Sequence, residues 1–150
     1  MTYEIDAKRG VANHYGARTT DASKGGQAKS TGKVKRAEWS FDYSNLPTYG
    51  SNNLQFVLPA NATVVSATWI TGTAWASGTS LNVGLYQGDG TVIDADGLDA
   101  AITPTTAGAV INGDGALVGK TIGANAGELT VAATGTYTAG TAKLIVEYVV

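Results

Sequence analysis

The 150-residue chain has no cysteine, a single histidine, three prolines and only 15% charged residues. Without cysteine no disulfide can form, so stability must come from the core, from assembly or from bound ions. This suits synthesis in a reducing cytoplasm. His14 stands alone, no Ser or Thr sits in a nucleophile-elbow pattern, and acyl transfer therefore has no candidate. His14 reads instead as a polar packing or interface residue beside Tyr15. The glycine- and lysine-bearing run GARTTDASKGGQAKSTGK contains no G-x-x-x-x-G-K-[ST], which removes a phosphate-binding loop. No run approaches the roughly 18 apolar residues of a membrane span. The opening MTYEIDAKRG lacks the apolar stretch of a secretory signal. These absences describe a non-enzymatic protein with no cofactor and no membrane partner.

Glycine (20 residues), threonine, alanine and valine are plentiful, which suits strands and tight turns better than helices. The clearest alternation lies in Ala62–Tyr86. There Val65, Ala67 and Trp69 share one face of an extended segment, and Leu81, Val83 and Leu85 repeat the pattern. The glycines between them predict a turn and an antiparallel pair. Trp39, Phe41 and Tyr43 alternate in AEWSFDY, as do Leu54, Phe56 and Leu58 in NLQFVL. Gly88-Asp89-Gly90 marks a hairpin turn leading into Val92–Ile93. Leu98 to Ile102 is the one place where a helical turn is expected. Short strands are expected near Ala109–Ile111 and Ala116–Val118. Leu129, Val131 and Ala133, then Leu144, Val146 and Tyr148, predict a closing hairpin. The fold class is therefore all-β: an antiparallel sandwich or jelly-roll-like body over residues 37–150, preceded by an extended N-terminal arm.

The charge is unevenly placed. Residues 1–36 hold eight basic against three acidic residues, a net of +5, while residues 37–150 net −7. The segment 1–36 has no apolar period and reads as a flexible basic arm on an acidic body. Its Arg density and aromatics are too sparse for a nucleic-acid stacking platform, so nucleic acid is not the expected partner. An acidic protein surface, along which the arm orders on assembly, is, with a simple solvated tail as the alternative. The contact candidates are Lys8, Arg9, His14, Tyr15, Arg18, Lys24, Lys29, Lys33, Lys35 and Arg36. Asp89, Asp94, Asp96 and Asp99 are the candidates for a hard cation, set against the simpler reading that they cap turns. The segment D-A-D-G-L-D lacks the ligand spacing of an EF-hand, and no metal is assigned.

HYGARTT, VVSATWITGTAWASGTSLNVGLY, GDGTVIDADGLDAAI and TAGTAKLIVEYV together give the chain a layout that resembles structural proteins of tailed-phage virions, of the head-decoration or cement type. That resemblance implies a β-rich, non-enzymatic homotrimer made in the bacterial cytoplasm. It would sit on the outer surface of the capsid, grip the major capsid protein with a terminal arm, and reinforce the shell. Two other readings remain open on the residues: a tail or fibre component, and a carbohydrate-binding β-sandwich module resting on the aspartates and on Trp75 as an exposed aromatic, although Trp75 reads first as a core or subunit-interface residue.

Overall fold

Leu81, Val83 and Leu85 are wholly buried, and the strand that carries them lies at the centre of one of two packed sheets. The computed structural model describes residues 11–16, 24–30, 33–50 and 57–150, with side chains for the last two stretches. The chain divides into two compact units, Met1–Val34 and Lys35–Val150. In the first, β1 (Val11–Gly16) and β2 (Lys24–Ser30) pair antiparallel, with Val11 opposite Ser30 and His14 opposite Gln27. No strand was expected there. A ladder of backbone hydrogen bonds needs no apolar alternation, and KGGQAKS offers none to read.

The second unit holds β3 (Lys35–Asp42), β4 (Val57–Leu58), β5 (Thr63–Thr71), β6 (Ser80–Tyr86), β7 (Val92–Ile102), β8 (Val110–Asn112), β9 (Gly127–Thr134) and β10 (Thr141–Val149). They form two four-stranded antiparallel sheets, ordered β3-β10-β5-β8 and β4-β9-β6-β7. The first strand of this body pairs with its last, β4 with β9, β5 with β8, and β6 with β7. Four strands are thus matched in reverse with the following four, and the ladder is rolled so that neighbouring rungs fall in opposite sheets. This is the strand order of a jelly roll. Among the described residues there is no helix.

Two of the three predicted hairpins of consecutive strands are corrected by this topology, whereas the Gly88-Asp89-Gly90 turn does join β6 to its antiparallel neighbour β7. β5 and β6 belong to different sheets, as do β9 and β10. Each of these strands has one apolar face, and facing across the sandwich buries both faces together. Leu81, Val83, Leu85, Leu129 and Val131 line one inner face; Trp39, Phe41, Ala67, Trp69, Leu144, Val146 and Tyr148 line the other. Each fully buried large apolar side chain contributes about 1.5–3 kcal/mol before entropy is counted. The link between β5 and β6 carries Trp75 into the core, where its ring centroid lies 5.6 Å from that of Trp69, 6.4 Å from Phe41 and 5.2 Å from Tyr137. Polar ends are satisfied there: Trp69 Nε1 donates to Thr71 Oγ1 at 3.1 Å, and Trp75 Nε1 to the Thr141 carbonyl at 3.2 Å.

Other local expectations also change. Val65 is exposed and Val64 is fully buried, because the β5–β10 register slips there: Ser66 faces Glu147, but Val64 faces Tyr148. One extra residue in a strand reverses the faces beyond it. The expected helical turn at Leu98–Ile102 is the end of β7, bent by a register shift at which Ala101 takes φ 52°. Ala116–Val118 is turn, not strand. Tyr43 lies beyond the end of β3 and is exposed. Leu54 and Phe56 lie outside the described residues, while Leu58, their expected partner, is buried.

Candidate interaction surface

The predicted contact residues fall into three groups. Lys8, Arg9 and Arg18 lie outside the described residues. His14, Tyr15, Lys24 and Lys29 are described through their backbone alone: Lys29 stands opposite Ala12 and Lys24 opposite Gly16 in the β1–β2 ladder. Lys33, Lys35 and Arg36 are exposed, and the last two open β3.

β3 presents side chains alternately to the core and to solvent. Ala37, Trp39 and Phe41 point inward, and Arg36, Glu38, Ser40 and Asp42 stand on the outer face of the sheet. Arg36 Nη2 meets Glu38 Oε1 at 2.7 Å, and Lys143 Nζ, from β10, approaches Glu38 Oε2 at 3.7 Å. Both pairs are roughly half exposed, so solvent screening leaves them little stabilising effect. Behind them Ser66 Oγ donates to Glu147 Oε2 at 3.3 Å. At the other end of β3, the side chain and backbone N–H of Ser44 donate to Asp42 Oδ1 at 2.6 and 2.9 Å. These bonds hold the Asp42 carboxyl below its ordinary pKa. Ser40, Asp42, Ile70, Gly72, Thr141 and Lys143 surround a shallow open depression on this outer face.

The acidic stretch is spread rather than gathered. Asp89 caps the β6–β7 turn: Thr91 N–H donates to its Oδ1 at 2.9 Å, which lowers its pKa, while Gly90 takes φ 90°. Asp94 accepts a long bond from the Asp96 N–H, 3.4 Å. Asp99 is buried, its Oδ2 has no hydrogen-bond partner, and burial raises its pKa, with the Asp114 charge adding to the rise. Among the described residues no three or more His, Cys, Asp or Glu side chains are grouped so as to hold a metal ion. Turn-capping accounts for Asp89. Asp114, fifteen residues after Asp99, was not singled out in the sequence, because only the fold sets its charge near Asp99.

The exposed-aromatic reading of Trp75 fails, since the side chain is buried. The exposed aromatic feature lies elsewhere: Tyr49 and Tyr86 stack with centroids 5.1 Å apart and planes 17° from parallel. Tyr49 is carried by a loop tied to β9, where Tyr49 N–H donates to Thr130 Oγ1 at 3.0 Å and Gly50 N–H to Glu128 Oε2 at 2.7 Å. No periodicity marks this pair, because one partner sits in a loop.

The same fold occurs in two solved virus structures. A chain in the capsid of Ralstonia phage GP4 matches with a TM-score of 0.55 and 22% identity, over 79% of this chain and 84% of that one. A chain in the capsid asymmetric unit of cyanophage Pam1 matches with a TM-score of 0.51 and 21% identity, over 78% and 84%. At such identities the likeness is one of fold. No protein-family model and no curated protein sequence matches the chain.

Proposed function

We propose that the chain is a non-enzymatic structural protein of a phage virion, which binds the outer capsid shell and stabilises it as a decoration or cement protein. The observation that carries this reading is the shared jelly roll, extending over nearly four-fifths of the chain, with chains found in two phage capsids. The division of charge supports it from the sequence side. A basic N-terminal segment joined to an acidic body gives one chain a docking arm for an acidic shell and a body that the shell repels. In this reading Lys8, Arg9, His14, Tyr15, Arg18, Lys24, Lys29, Lys33, Lys35 and Arg36 contact the major capsid protein. The body, acting as an oligomer that the family resemblance makes a trimer, adds buried area across subunit boundaries and so opposes internal pressure.

The test uses particles of the parent phage from which this gene has been deleted. Purified full-length chain should bind their shells, with binding weakened by added salt, and raise the temperature at which they rupture. A chain starting at Lys35 should lose binding while its body still melts cooperatively, since the buried core lies beyond that residue. Binding to tails instead of shells would favour the tail reading and overturn this one.

A further inference from the structure

We infer that the free edge of β3 is a pairing surface for a second copy of this chain, joined antiparallel about a two-fold axis. The inference does not rest on the capsid reading. β3 lies at the end of its sheet and, among the described residues, pairs only with β10. The Tyr43 N–H donates to the Gly140 carbonyl at 3.0 Å, one step beyond the Asp42–Thr141 pair. In an antiparallel ladder the hydrogen-bonded pairs alternate, so Phe41, Trp39 and Ala37 also turn their backbone groups toward β10. The N–H and C=O groups of Ser40, Glu38 and Arg36 and the N–H of Asp42 therefore face the open edge, while the Asp42 carbonyl already accepts the Asn45 N–H at 3.2 Å. Such a row is a template for a further strand.

The order of charges selects the occupant. Along the edge run Arg36, Glu38, Ser40 and Asp42: a cation at the start, an anion at the end. A second β3 laid antiparallel can engage at least three edge residues of each strand in three registers. One sets Glu38 directly against Glu38 of the second copy, and another sets Glu38 against its Asp42. Both place like charges opposite each other, which is destabilising. The third engages all four residues, with Arg36 opposite Asp42 of the second copy, Glu38 opposite its Ser40, and each contact repeated by the two-fold. Charges that merely guard an edge would share one sign and repel in every register. Here the order of signs makes one register attractive. Asp42, kept ionised by Ser44, holds its charge for that contact. The result is a continuous eight-stranded sheet, β8-β5-β10-β3 followed by its two-fold mate.

Sedimentation and native mass spectrometry of the full chain at high micromolar concentration test this. The expected particle contains an even number of chains: a dimer or, where the trimer of the proposed function also forms, two trimers joined through their β3 edges. R36E and D42R should each weaken association roughly tenfold or more, and the double variant R36E/D42R, with the charges exchanged, should restore it. S40P, which removes one edge N–H and leaves every charge in place, should also weaken association, with the near-ultraviolet circular dichroism of the body unchanged. A monomer, an exclusively odd-numbered particle, single variants that associate like the parent, or a double variant no better than the singles would each overturn the inference.

Discussion

Gly140 lies against the indole of Trp75, with no room between them for a methyl group, and holds φ 139°. A Cβ at Gly78 would likewise overlap the Tyr137 ring. Two glycines thus let two loops close over the aromatic cluster. Gly140→Ala should cost about 3 kcal/mol, from overpacking and backbone strain together. Trp75→Ala should cost about 3–5 kcal/mol through the cavity it leaves. Denaturant midpoints measured on the two variants check both, with parent-like midpoints as the opposing result.

Asp99 gives the body a pH dependence of its own. Its folded pKa is raised, so its contribution to stability is fully present in acid and is lost as pH rises through that raised value. Asp42 and Asp89, whose pKa values are lowered, act oppositely and lose their contribution as pH falls through the carboxylate range. Asp99→Asn should therefore raise Tm at neutral pH, by about 1 kcal/mol of stability or a few degrees, and should give no gain near pH 3. Thermal melts across pH decide it; equal gain at both ends would assign the effect to packing instead.

Ala101 is held in the left-handed region at φ 52°, with its N–H donating to Asn82 Oδ1 at 2.8 Å. Ala101→Gly should stabilise the body by about 0.5–1 kcal/mol, because relief of the left-handed strain exceeds the added chain entropy. Asn82→Ala should destabilise it by about 1 kcal/mol or more. Chemical denaturation of the two variants should move their midpoints in opposite directions.

Val64 and Val65 make a paired test of the register slip in β5. Val64→Thr buries a hydroxyl and should cost about 1–3 kcal/mol. Val65→Thr sits in solvent and should change stability by no more than about 0.5 kcal/mol. Reversed costs would show that the alternation read from the sequence, with Val65 inward, was right.

That pair also shows how far the sequence could be read. Period-two alternation located β3, β5, β6, β9 and β10, because each buries one face and leaves the other polar. Alternation is local, so it carried neither the slip at Val65 nor the partner of any strand. Consecutive strands looked like hairpins because the eight residues 72–79 could equally turn back or cross between sheets. Only the need to bury Trp75 and two facing apolar surfaces decides for crossing. The same limit applies to the surface. The charge split was visible in the sequence, whereas the order of signs along the β3 edge acquired meaning only once Tyr43 and Gly140 fixed which backbone groups point outward.

β10 lies between β3 and β5, so the first strand of the body finds its partner in the last. Tyr148 stands opposite Lys35 across 112 residues of intervening chain. Every residue from Lys35 to Tyr148 must therefore have left the ribosome before this sheet can close. Contacts so distant in sequence make folding slow and keep β3 and β5 unpaired with β10 until β10 itself has emerged.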